Sequence, residues 1–284
     1  MPTLLLLVLV SQPSELPIEV TLSLSADVIR TGDPLFVKAT IQNRDNEPIH
    51  WFSAPDFAFE LQIEQRVQGS TSYDACRTRE GGDDVEFGPM IMAGNSRYSA
   101  FDVLLPSENP ALQEPGSYQL RVRVAQASDK EGTDVRYYHS LPVELMVQPR
   151  DQGEVKLIHA MRREIDFGVS TQFSNSGTLA KELYELEISL KGPSVLKTSI
   201  VWSRMIREYD PASTCANEQL VALQNVRLIV DPVTSEVISL CLASRLRHYG
   251  QWQGVLEVLH SVEERNVIVE NIRAECRARI NPKE

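Results

Sequence analysis

The chain has 284 residues, 42% of them hydrophobic and 24% charged, which gives room for two ordinary domains and excludes wholesale disorder. Its formal net charge of -11 argues against a nucleic-acid partner, because phosphate binding needs a basic face that displaces counterions. Such a balance favours solubility, or attraction to cations and basic partners.

Residues 4–10 form an unbroken apolar run, and residues 11–15 are mostly polar. The run is far shorter than the roughly twenty residues that span a bilayer, and it has the length of an export-signal core. Residues 1–16 are therefore expected to be a signal peptide or a disordered N-terminus. The protein would then be secreted, periplasmic or held at the cell envelope. No Lys or Arg precedes the run, and the competing reading is an edge strand in a cytoplasmic protein.

From Ile18 to Val147 the dominant apolar period is two. Ile18, Val20, Leu22 and Leu24 alternate with polar neighbours, as do Leu35, Val37, Ala39 and Ile41. Phe57, Phe59, Leu61 and Ile63 repeat the pattern. Period two places one apolar row on each strand, which is what closes a core between antiparallel sheets. Further strands are expected over 98–105, 117–124 and 135–147, with turns at Gly32-Asp33-Pro34 and Pro115-Gly116 between the runs. The total is about seven strands, the number of a sandwich.

Between these runs, residues 65–86 lack alternation and are expected to be a long irregular loop, the usual place for a binding surface. It carries Tyr73, Asp74, Asp83 and Asp84, which we expect to take part in binding. The acidic tip offers oxygen ligands for calcium, but no EF-hand spacing is present and no metal is expected. Trp51 and Phe52 lie next to each other near the early strands and are the aromatic candidates for ligand or partner contact. Tyr137 and Tyr138 are adjacent, so one of them must face away from the core.

Gly116, Tyr118 and Leu120 open a strand that continues through Val122 and Val124. This resembles the start of strand F in immunoglobulin-like and fibronectin-III-like modules of bacteria, where a tyrosine corner stands two residues before a core position. The resemblance covers residues 17–149 and concerns architecture. It implies a structural role for Tyr118, whose hydroxyl bonds back to upstream backbone. Leu120 then replaces the second cysteine of antibody domains, so the inter-sheet disulfide is absent.

After Pro149 the period becomes helical. Helices are expected over 154–165, 178–190, 194–209, 232–248, 251–259 and 263–280. Asp210-Pro211 and Asp231-Pro232 each read as a cap followed by proline in the first turn, where its missing donor costs nothing. Leu242, Ala243, Leu246, Gly250, Trp252 and Leu259 resemble one tetratricopeptide hairpin, although Val255 stands where that family has a small residue and no second copy appears. Trp252 is expected to anchor the helical core. Cys215 and Cys241 flank the Asp231-Pro232 break and either bridge across a helical hairpin or serve as small core residues.

The fold expected is thus multidomain, all-β then all-α: an immunoglobulin-like β-sandwich over 17–149 and an antiparallel helical domain over 150–284. The junction at 149–153 is expected to be open to protease. No zinc-helix, nucleophile-elbow, Walker or dinucleotide motif is present, and the five histidines fall in five different segments. No cofactor is expected. The leading reading is a non-catalytic binding or scaffolding protein of the envelope or extracellular space, acting on a protein partner, with a carbohydrate as the alternative ligand. The second reading is a hydrolase with an unrecognised site in the helical domain.

Overall fold

A computed structural model describes residues 17–51, 61–67, 69–79, 90–92, 94–104, 113–127, 135–154, 205, 209–210, 212–228, 230–260, 262 and 267–281. The smaller of two main sheets contains β1 (Ile18–Leu24), β3 (Leu35–Asn43) and β8 (Arg97–Leu104) in the order β1-β3-β8. The larger runs β2-β11-β9-β5-β6, from β2 (Val28–Arg30), β11 (Val143–Gln148), β9 (Gly116–Ala127), β5 (Leu61–Val67) and β6 (Asp74–Arg79). β10 (Val135–His139) pairs with the far end of β9, and β4 (Ile49–Trp51) pairs with β7 (Met90–Met92).

The alternating apolar rows meet as the period-two pattern requires. Val20 and Leu22 of β1, Val37 and Ile41 of β3, Leu120, Val122 and Val124 of β9, and Leu145 and Val147 of β11 form one buried cluster. This is a β-sandwich-like part. Tyr118 belongs to the same cluster, and its hydroxyl donates to the carbonyl of Glu114 at 3.0 Å. Burial pushes the Tyr118 hydroxyl pKa up, and nearby Glu114 adds to the shift.

Two expectations need correction. Residues 65–86 are not one loop, because β5 continues to Val67 and pairs with β6, which starts at Asp74, through a connection that opens with a turn at Val67. Gly69 takes φ +93 in that turn, and Ser70 N–H donates to the Val67 carbonyl at 3.0 Å. The single strand expected over 135–147 is two strands. Val143 lies opposite Leu120 and His139 opposite Arg123, so four steps on one side match three on the other. The extra residue is a bulge at Leu141-Pro142, where proline cannot donate to the ladder. Ser140 keeps the pairing through the gap, its N–H donating to the Val122 carbonyl and its hydroxyl accepting from Val122 N–H.

Four helices follow among the described residues: α1 (Ala216–Leu228), α2 (Pro232–His248), α3 (Trp252–Leu259) and α4 (Val267–Ile280). The expected helices over 154–165, 178–190 and 194–209 fall mainly on residues outside those described. α2 begins as its sequence dictates. The Asp231 carboxylate accepts from Thr234 N–H at 2.9 Å, and Pro232 follows. The same pattern at Asp210-Pro211 does not start a helix. Asp210 instead closes turns onto Ala212 and Ser213, and α1 begins only at Ala216.

α2 ends in a Schellman motif. Gln251 N–H donates to the Leu246 carbonyl and Gly250 N–H to that of Arg247, with Gly250 at φ +70. Val237, Leu242, Leu246, Val255, Val258, Leu259 and Val269 fill the helical core. Trp252 is only partly buried against it, with the Arg279 guanidinium 5.7 Å from its ring. Cys215, Cys241 and Cys276 are free. Of the two readings left open for Cys215 and Cys241, the bridge is not formed: Cys215 is exposed ahead of α1, and Cys241 is a buried core residue. Burial pushes the Cys241 thiol up to about 12.

The helices back the smaller sheet. Phe36 of β3, fully buried, belongs to the helical cluster rather than to the sandwich core. On the same outward row the Lys38 ammonium reaches both carboxylate oxygens of Glu236 in α2, each at 2.8 Å. Arg150, expected at an open junction, is buried and bonded to Asp33 at 2.6 Å.

Candidate binding face

The outward row of β9 is Gln119, Arg121 and Arg123, the polar half of the alternation that buries Leu120, Val122 and Val124. Strand register brings partners from three sides. Glu64 of β5 lies opposite Arg121 and Arg66 opposite Gln119, while Glu144 of β11 faces Gln119 and His139 of β10 faces Arg123.

Glu64 is the hub. It is only 7% exposed, and its two carboxylate oxygens lie 2.6 Å from Arg121 Nε and 3.7 Å from Arg123 Nε. A buried carboxylate needs such partners, and it in turn fixes both guanidinium groups. Tyr73, carried in by the β5–β6 turn, sits against two cations. The Arg121 guanidinium lies 4.0 Å and that of Arg66 4.7 Å from the ring centre. Gln119 completes the group, its Oε1 accepting from Arg66 Nε at 2.5 Å and from the Tyr73 hydroxyl at 3.4 Å. Its amide donates to Glu144.

Beyond Arg123 lies Tyr137, half exposed, with that guanidinium 5.1 Å from its ring. Tyr138 points into the core, so Tyr137 is the outward member of the pair. Desolvation first, and then the charges of Arg121 and Arg123, pull the pKa of His139 below its ordinary value, with Glu64 opposing. The face is a cation–aromatic array held by one buried carboxylate.

The structure brings only part of the expected binding set here. Tyr73 is central, and Asp74 is exposed at the start of β6 beside it. Trp51 closes β4 opposite Met90, away from this sheet in the pairing order. Phe52, Asp83 and Asp84 lie outside the described residues. Glu64, Arg66, Gln119, Arg121 and Arg123 belong to no motif that the sequence displays. The signal for them was the polar half of the alternation on β5, for Glu64 and Arg66, and on β9, for Gln119, Arg121 and Arg123.

Among the described residues no group of three or more His, Cys, Asp and Glu is arranged to hold a metal ion, and no helix is long and apolar enough to cross a membrane. No protein-family model and no curated protein matches the chain. Among solved structures, 46% of the chain is similar to 16% of a mutant β-glucosidase from Listeria innocua, at 15% identity and a TM-score of 0.26. It is also similar to Spo0M, a sporulation control protein from Bacillus subtilis, over 52% of this chain and 55% of that one, at 11% identity and a TM-score of 0.30. The CARDB domain of a Pyrococcus furiosus protein, in complex with di-metal ions, matches over 47% of this chain and 94% of its own, at 10% identity and a TM-score of 0.28. The chain spans less than two thirds of the glucosidase and of Spo0M, and likenesses this weak carry no activity, substrate or metal to it.

Proposed function

We propose that the chain is a non-catalytic binding or scaffolding protein that acts through protein–protein contacts made by the outer face of the larger sheet. The Arg66–Tyr73–Arg121 stack on Glu64 supports this reading most directly. Arg and Tyr are the side chains that dominate binding hot spots, and a group already fixed loses little freedom on association. On the opposite sheet, α2 and α4 pack against β3 and β8, with Phe36 and the Lys38–Glu236 pair at the contact. In this reading the sandwich is an immunoglobulin-like module, the C-terminal part is an all-helical support, and residues 4–10 are the core of an export signal.

The face fits a partner surface with acidic groups beside an apolar side chain that packs on Tyr137. A photo-reactive residue placed at Tyr137 should cross-link a defined partner from the envelope fraction. The same residue at Val221, exposed on α1, should not, and Arg121→Glu should abolish the Tyr137 product. Equal capture at both positions, or capture indifferent to Arg121→Glu, would remove the larger sheet as the docking surface.

A further inference from the structure

We propose that Arg245 marks a binding site for a small oxyanion, a carboxylate or phosphate group, where the end of α2 meets the chain at Tyr209. This site is separate from the larger sheet and does not rest on the reading above.

Arg245 carries a largely buried guanidinium, and among the described residues no carboxylate pairs with it. It is 7% exposed, and none of the ion pairs found on the described residues includes it. Its neighbour Arg247, on the exposed side of the same helical turn, pairs with Glu275 at 2.7 Å. What Arg245 does have is weak. Its Nη2 donates to the Tyr209 carbonyl at 3.4 Å, and its Nε is buried with no acceptor. A buried charge lacking a partner is costly, and an unfilled donor on it adds to that cost. The negative end of the α2 dipole offsets only a fraction. The Nε–H is thus a donor that could serve an anion's oxygen.

The surroundings set the class of ligand. The Tyr249 ring, 37% exposed, lies 4.8 Å from the Arg245 guanidinium and edge-on to Tyr209 at 6.5 Å. Displacement of this partly exposed ring would open the Arg245 guanidinium to a small group. The Tyr209 hydroxyl donates to Gln251 Oε1 at 2.9 Å, which holds the Tyr209 ring in place. The planar fork of arginine then selects two coplanar oxygens over a spherical halide.

The experiment follows the thermal midpoint of the full chain at constant ionic strength while sodium chloride is replaced by sodium phosphate or sodium acetate. We expect a saturable rise with at least one of the two oxyanions, and the larger rise identifies the class. Arg245→Met removes the unpaired charge while keeping the stem, so it should melt no lower than wild type in chloride and lose the saturable response. Arg245→Lys keeps the charge and loses the fork, and should bind about tenfold or more weakly. Arg247→Met should respond as wild type does. A wild-type midpoint indifferent to both anions would overturn the proposal, as would a response unchanged in Arg245→Lys. If Arg245→Met does not fold, the guanidinium is structural, unless the Arg245 Nε–H resonance of wild type shifts saturably with the anion.

Discussion

Tyr118 shows how much one polar atom can decide. Its ring is buried in the sandwich core, and its hydroxyl reaches the Glu114 carbonyl four residues upstream. Tyr118→Phe leaves that carbonyl without its donor and should cost about 1 kcal/mol, read as a lower denaturant midpoint at unchanged slope. A neutral result would remove the corner as a stabilising contact. His139 gives a second reading at this level. Its pKa is lowered in the folded chain, chiefly by desolvation and then by Arg121 and Arg123. The unfolded chain therefore takes up a proton that the folded chain refuses as pH falls through about 6.5. Stability is complete above that value and declines below it. His139→Gln should flatten the decline, in a thermal midpoint followed from about pH 7.5 to 5.5. An identical slope in the variant would show that His139 does not contribute. Tyr118 was legible from sequence because its motif is local. The Glu64–Arg121–Tyr73 group was not, because its members are brought together by strand register, which no local spacing encodes.

Elements were most legible where a cap, a period and a stop agreed. For α2, Asp231 and Pro232 mark the start and Gly250 marks the end, and all three can be read directly along the chain. Gly250 sits at φ +70, which an L side chain adopts only with strain. Gly250→Ala should therefore lower the helical melt by about 1–2 kcal/mol, although the nearest atom to the added methyl, on Trp252, is 3.9 Å away. A variant as stable as wild type would mean that the turn relaxes. Asp210-Pro211 misled because a capping sequence needs an apolar helical face immediately behind it. There the chain makes two turns before α1. β10 and β11 were merged for a comparable reason. The bulge at Leu141-Pro142 switches which parity faces inward, from Tyr138 to Leu145 and Val147. A reading by strict alternation has no means of counting one extra residue. Trp252 was expected to anchor the helical core and is only partly buried against it, whereas Leu259 is fully buried. Leu259→Ala should cost about 2–5 kcal/mol. Trp252→Ala should cost less, and the reverse order in chemical denaturation would restore Trp252 as the anchor.

Composition and period divided the chain into a strand-rich part and a helix-rich part, but they did not show that the two share a core. β3 is buried on both faces, with Val37 and Ile41 turned into the sandwich and Phe36 into the helical cluster. A strand that alternates apolar with partly apolar residues is covered on both sides, and Phe36 and Lys38 were the clue. The junction is tied as well, since Arg150 is held by Asp33 and lies 3.6 Å from Glu154. It follows that the helices should not melt independently of the strand beneath them. Phe36→Ala removes a fully buried aromatic ring, a change that typically costs about 3–5 kcal/mol. The loss should appear in the helical signal at 222 nm even though the substitution lies on a strand. Val37→Ala, one residue along and facing the other way, removes less buried surface from the sandwich core. In a cooperative molecule both variants shift strand and helix signals together, Phe36→Ala by more. If Phe36→Ala left the helical melt in place, α2 would owe little to the β3 surface. The two parts would then have to be treated as separate folding units joined at Arg150.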